Sequence, residues 1–297
     1  MGGGDPVQRV QLITDSGCDV LGGGFGGIDV RVIPFPYSLD GSERVDDPQY
    51  TPALDTFYEA IRRGARVTTS QVRVADCAQV FRNCANLNTP AVYITLSSGL
   101  SGTFEAALRA RELVLAERPG AEIYVVDSLS AATGQALLVS EVARRLTDGC
   151  SAQQAAEWAE ENRLRVQHLL TVDSLEHLVR GGRIPPTAAV AGSILDVKPI
   201  ITLSAEGRLI PIRKTRGRTR ALRAITELAG DALAGQHEPR LYIGHARCDG
   251  DALLLQRFIA DVVSECRVTR TRIGLIIGAH TGPSAIMAAY WGHHRMN

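Results

Sequence analysis

The sequence has no surplus of charge of either sign: 32 Lys and Arg stand against 32 Asp and Glu, a formal net charge of +0. A surface that reads nucleic acid through its phosphates needs a basic excess, so that class is set aside. Long apolar runs are missing as well, and no stretch reaches the length of a membrane span. The opening residues Met1-Gly2-Gly3-Gly4-Asp5 have neither the basic start nor the apolar core of a secretory signal. The expected location is the cytoplasm, with at most transient membrane contact. Paired cysteines are absent too. Cys18, Cys77, Cys84, Cys150, Cys248 and Cys266 stand apart without a C-x-x-C motif, which predicts reduced thiols rather than a disulfide frame or a zinc site.

What is present is an alternation of short apolar strands and helices over 297 residues, enough for one large domain or two modest ones. Residues 10–14, 28–35, 91–94, 122–126, 166–172, 241–244 and 272–277 read as strands. Residues 52–63, 73–84, 104–114, 131–145, 151–163, 174–179, 187–195 and 251–264 read as helices, and another runs to Leu233. Asp40-Gly41 and Ala205-Glu206-Gly207 read as hairpin turns. This order predicts an α/β fold with mostly parallel sheets and a domain boundary near residue 160.

The chemistry concentrates at Thr95-Leu96-Ser97-Ser98-Gly99-Leu100-Ser101-Gly102-Thr103, between a strand and a helix. Its glycines let the turn bend tightly, its serines surround the bend, and the helix N-terminus adds free N–H groups. That is an anion cradle without a cation of its own. The stretch Gly99-Leu100-Ser101-Gly102 is one residue short of the G-x-S-x-G nucleophile elbow and lacks the Lys of a P-loop. Residues 22–27 satisfy G-x-G-x-x-G, but a strand follows instead of a helix, so they read as a flexible loop.

Four further stretches stand out. Asp15-Ser16 and its neighbour Thr14 close the first strand, at the edge where α/β sheets bind ligands. Thr68-Thr69-Ser70-Gln71, taken alone, reads as the N-cap of the following helix. Gly278-Ala279-His280-Thr281-Gly282-Pro283 places a histidine among small residues at a predicted strand end, which marks His280 as a site residue. Residues 213–220 are strongly basic and read as a solvated helix start, and His293-His294 reads as a chain end rather than a metal site.

Together, Thr14-Asp15-Ser16, Thr69-Ser70-Gln71, Leu96 to Thr103, Val126-Asp127-Ser128, Gly181-Gly182-Arg183-Ile184, Lys198-Pro199-Ile200 and Gly278 to Pro283 resemble the DegV family, the fatty-acid-binding subunits of bacterial fatty acid kinase systems. The matching stretches stand in the family's order across nearly the whole chain. The resemblance implies two α/β domains, residues 1–159 and 160–297, with a ligand cleft between them. It implies a carrier that is not itself an enzyme. The carrier holds a long-chain fatty acid and presents its carboxylate to a dihydroxyacetone-kinase-like fatty acid kinase, which makes acyl phosphate for phospholipid synthesis. No cofactor is expected on this chain, since ATP and Mg²⁺ belong to the kinase. The head-group residues carried over are Thr69, Ser70, Ser97, Ser98, Gly99 and His280, and Arg180 and Arg183 are carried over as residues facing the kinase. Two positions depart from the family pattern: Val72 stands for a proline and Ser284 for a glycine.

The chemistry agrees with such a ligand. Burying the tail yields about 0.8 kcal/mol per CH₂, and a buried carboxylate needs hydrogen-bond donors. Residues 187–195 and 273–277 are candidate tail walls. Two other classes remain open from the residues alone: a serine hydrolase using Ser98 or Ser101 with His280 and Asp127, and a lipid sensor that works without a kinase.

Overall fold

A computed structural model describes residues 9–19, 28–46, 51–189 and 196–295. Residues 22–27, and residues 190–195 of the expected buried helix, lie outside the described residues. The chain starts with β1 (Gln11–Asp15) and β2 (Val30–Ile33). The predicted hairpin follows as β3 (Pro36–Leu39) and β4 (Ser42–Val45), turning at Asp40 and Gly41 with φ of 50° and 82°. Then come α1 (Thr51–Arg62), β5 (Val67–Thr69), α2 (Val74–Asn86), β6 (Ala91–Thr95), α3 (Thr103–Glu117) and β7 (Ile123–Asp127). β1, β2, β6 and β7 form a parallel sheet in the order β2-β1-β6-β7, and β3, β4 and β5 form a small separate one. The inner strands β1 and β6 and the neighbouring β7 are short runs buried on both faces, as β-α-β crossovers require.

After β7 come α4 (Ala132–Thr147), α5 (Ala152–Asn162), β8 (Val166–Thr171), α6 (Glu176–Arg180) and α7 (Pro186–Ala189). The remainder is β9 (Val197–Leu203), β10 (Leu209–Arg216), α8 (Arg218–Leu233), β11 (Arg240–His245), α9 (Asp249–Val262), β12 (Arg267–Arg272), α10 (Leu275–Thr281) and β13 (Ile286–Trp291). The second sheet runs β10-β9-β8-β13-β11-β12. The fold is α/β, as expected, but this sheet is not mostly parallel: only β11 and β12 pair in parallel.

Two local readings explain that difference. β13 inserts antiparallel between β8 and β11, and its sequence Ile-Met-Ala-Ala-Tyr-Trp shows neither alternation nor β-branched enrichment, because it is buried on both faces. The expected strand over residues 272–277 is replaced by α10. A short apolar run does not distinguish strand from helix. Here Leu275, Ile276 and Ala279 are buried at helical spacing, and Gly274 is the extended N-cap. The basic run over residues 213–220 likewise begins as strand: β10 continues to Arg216, and α8 starts at Arg218.

α4 packs against strands of both sheets. Gly134 makes this possible, since a Cβ there would lie 1.9 Å from the buried His168 ring. One apolar cluster joins Ile13 and Tyr93 of the first half to Leu170, Leu178, Ile276 and Met287 of the second. The candidate site opens within this shared core.

Candidate functional site

The turn after β6 is braced from below. The buried Asp15 carboxylate, at the end of β1, accepts the N–H of Leu96 at 2.8 Å and of Gly17 at 3.0 Å. Tyr93 Oη donates to it at 3.2 Å and Gln135 Nε2 at 3.3 Å. Burial outweighs these donors and pushes the Asp15 carboxyl up to about 6. Asp127, at the end of β7, accepts the N–H of Ser98 at 3.1 Å and of Leu129 at 3.0 Å. The acids at the strand ends therefore hold loop backbone in place.

Ser97, Ser98 and Gly99 sit on this turn but do not line the cavity. Ser97 is fully buried, and its hydroxyl donates to the Gly207 carbonyl at 2.9 Å. It also accepts the Gly99 N–H at 3.1 Å. A Cβ on Gly99 would lie 2.5 Å from the Glu206 carbonyl oxygen, so glycine is needed where the β9–β10 hairpin turn presses on the loop.

Two residues beyond Gly99, Ser101 does face the cavity. The cavity is a narrow slot with about 570 Å³ of empty space when the open solvent at its mouth is included. Its polar end gathers Thr69, Ser70, Gln71, Ser101, Arg183 and His280. Apart from Thr281, the rest of its wall is apolar, including Phe35, Leu96, Leu170, Leu178, Ile276 and Met287. Of the two candidate tail walls, residues 273–277 contribute Ile276 and Ile277.

Thr69 reaches the site through the small sheet, where it pairs with Tyr37 across β3 and β5. Its Oγ1 lies 2.7 Å from His280 Nε2. The N-cap reading of this stretch fails: the N-cap of α2 is Arg73, which makes no side-chain capping bond. His280 stands in the last turn of α10 with Nδ1 buried and unpartnered. Burial, reinforced by the nearby Arg183 charge, pushes the imidazole down to about 4, so it is neutral at neutral pH. Gly181 makes room for the ring, because a Cβ there would lie 2.2 Å from His280 Nδ1.

Arg183 supplies the cation that the turn lacks. It is half-buried in the cavity wall, donating from Nε to the Leu100 carbonyl at 3.2 Å and from Nη1 to the Gly181 carbonyl at 2.5 Å. Arg183 and Arg180 were both expected to face a kinase; Arg183 instead points into the cavity wall, while Arg180 is exposed and donates to His177 Nδ1 at 2.8 Å.

Ser101 and Gln71 were absent from the expected head-group set. The signal for Ser101 was its place beside Gly102, the N-cap of α3, where helix amides are free. Ser101 Oγ lies 2.9 Å from Thr103 Oγ1 and accepts the Thr103 N–H. The two departures from the family pattern have local uses. The Val72 N–H donates to Thr103 Oγ1 at 3.2 Å, a bond proline cannot make. Ser284 Oγ accepts the Asp173 N–H at 2.9 Å and lies outside the cavity wall. The hydrolase arrangement does not assemble: Ser101 bonds Thr103, His280 bonds Thr69, and the Asp127 carboxylate holds backbone.

The family model of DegV proteins matches residues 9–291, and a DegV domain-containing protein of Clostridium perfringens is 33% identical over 288 residues, covering 96% of this chain and 98% of its own length. The chain belongs to the DegV family. Among solved structures, a fatty-acid-binding DegV protein from Thermus thermophilus is 30% identical with a TM-score of 0.83, covering 96% of this chain and 100% of its own. A stearic acid-binding protein from Eubacterium ventriosum is 26% identical with a TM-score of 0.86, covering 95% and 98%. Against that DegV background, the cavity has the chemistry of an amphiphile site: an apolar slot ending in hydroxyls, a neutral imidazole and one guanidinium. Among the described residues, no helix is long and apolar enough to cross a membrane.

Proposed function

We propose that this DegV protein is a carrier for a long-chain fatty acid, with the carboxylate at the polar end of the slot and the tail along its apolar wall. The observation that carries this reading is the convergence of Thr69, Ser101, His280 and Arg183, with Ser70 and Gln71, in a cavity whose wall is otherwise mainly apolar. The fatty-acid-binding relatives support it. Hydroxyl and imidazole donors satisfy a carboxylate, and the half-buried Arg183 balances its charge. In the same proposal the slot lies between two units, residues 1–159 and 160–297.

The carrier presents its cargo to a separate kinase in the cytoplasm, a dihydroxyacetone-kinase-like protein that brings ATP and Mg²⁺. The carboxylate is itself the nucleophile toward the γ-phosphate, so the carrier needs no general base, and positioning and charge neutralisation dominate. Exposed Arg180, at the C-terminal end of α6, is the residue of the loop available to that partner.

Mild solvent extraction of the purified protein followed by mass spectrometry tests the carrier role. The expected result is a stoichiometric fatty acid, lost in a Thr69→Val/His280→Asn variant that keeps its thermal unfolding transition. An empty protein that also fails to bind added stearic acid overturns it. Acyl phosphate that forms with the kinase, ATP and Mg²⁺ only when this chain is present establishes the kinase role. Fatty acid binding without that product leaves a sensor.

A further inference from the structure

Both tryptophans of the chain, Trp158 and Trp291, lie in one groove, with ring centroids 5.7 Å apart. The groove is open to solvent and shares no lining residue with the cavity described above. It is built where α4 and α5 meet the start of β8 and the end of β13, with Trp291 opposite Val166 in register. The slot uses the other ends of the same strands, Leu170 and Met287. Arg145 stacks on Trp158 with its guanidinium carbon 3.9 Å from the ring centroid, and Tyr242 Oη donates to Ser140 Oγ at 3.1 Å. Tryptophan, tyrosine and arginine together form the composition of protein interface anchors.

Charge indicates the occupant. The lining carries Arg144, Arg145, Arg165 and Arg240 against Glu141 and Glu238. Arg144 is engaged by Glu141 and Asp148, each at 2.6 Å, and Arg240 by Glu238 at 3.1 Å, so the cations with charge to spare are Arg165 and Arg145, the latter 3.8 Å from Glu141. Next to this basic groove, α5 exposes an acidic ridge of Glu157, Glu160 and Glu161. Glu157 accepts from Gln153 at 2.8 Å, while Glu160 and Glu161 have no partner among the described residues. A two-fold interface needs a patch that complements itself, and this face places both signs side by side in a chain of net charge +0.

We infer that the Trp158–Trp291 groove is a self-association surface, with the α5 ridge of one copy seated against the arginines of the other. The two slots then face away from the interface, so pairing leaves the head-group sites open. This inference does not rest on the carrier reading.

Sedimentation of the full chain over a range of concentrations tests it, with tryptophan emission as the local reporter. The expected result is a dimer at low salt that weakens as salt rises, with emission shifting on dilution. Arg144→Glu/Arg165→Glu and Glu160→Arg/Glu161→Arg each raise the dimer dissociation constant at least about tenfold, and an equimolar mixture of the two variants pairs again. Their thermal unfolding transitions stay those of the wild type, which shows that both are folded whether or not the protein carries a fatty acid and separates this test from that of the carrier. A chain that is monomeric at every concentration overturns the inference and leaves the groove to a different partner. A dimer indifferent to both variants, or variants not rescued by mixing, overturns it as well.

Discussion

Two sets of polar groups lie close together around the β6–α3 turn and behave in opposite ways. One set, Asp15, Ser97 and Asp127, is spent on the protein: its members hold the N–H groups of Gly17, Leu96, Ser98 and Gly99 and the carbonyl of Gly207. The other set, Thr69, Ser101, Arg183 and His280, lines a cavity and retains spare capacity, most plainly at the unpartnered Nδ1 of His280. Similar residue types therefore serve architecture in one set and recognition in the other. What separates them is whether their hydrogen bonds close within the fold.

The largest break in that comparison is Asp15→Ala. Removing the acceptor leaves the Leu96 and Gly17 N–H groups buried without a partner, so stability falls by about 3 kcal/mol, measured by urea denaturation. His280→Asn weakens fatty acid binding while leaving the neutral-pH denaturation midpoint nearly in place.

A crossed pair of serine variants sharpens the contrast at smaller scale. Ser101→Ala weakens fatty acid binding about tenfold, the equivalent of one hydrogen bond to a charged group, with little change in stability. Ser97→Ala does the reverse, costing about 1 kcal/mol of stability and sparing affinity. Calorimetric titration with a soluble fatty acid and urea denaturation of both variants check it. Ser97→Ala losing affinity as far as Ser101→Ala would merge the two sets.

The smallest effect is in the pH profile, because opposing slopes partly cancel. His280 is pushed down to about 4 in the folded state, so its contribution to stability is present above its ordinary 6.5 and is lost as pH falls toward 4. Asp15 is pushed up to about 6, and Asp19, holding the Gly274 N–H and the Thr133 hydroxyl, up to about 7. Their contributions are present below the ordinary 3.8 and are lost as pH rises through those values. Denaturation midpoints between pH 4 and 6 should therefore fall more steeply with rising pH in His280→Asn and less steeply in Asp15→Asn. Parallel profiles in all three proteins would show that these groups do not titrate as their burial requires.

Much of the architecture was legible because hydrophobic spacing and turn chemistry act over a few residues. The parallel β1-β6-β7 core, the Asp40-Gly41 hairpin and helices α1 to α5 follow from those local signals. β13 and α10 did not, since runs such as Ile276-Ile277 and Met287-Ala288 satisfy either conformation until neighbours bury them. The site was legible in part for the same reason. His280 and Thr69 stood out as small polar constellations, whereas Ser101 could not be told from Ser97 by sequence. Ser97 is turned away by the Gly207 carbonyl, contributed from more than a hundred residues further along the chain, whereas Ser101 is held by its neighbour Thr103.

By itself, the sequence determined the α/β class, the strand–turn–helix at Thr95 to Thr103, and the family, because these reside in local spacing and ordered motifs. The tertiary structure alone decided which hydroxyls face the cavity, that Arg183 is the cation of its polar end, and that His280 is neutral. Each of these depends on burial and on contacts between distant segments, and burial is a property of the packed chain that no short stretch encodes.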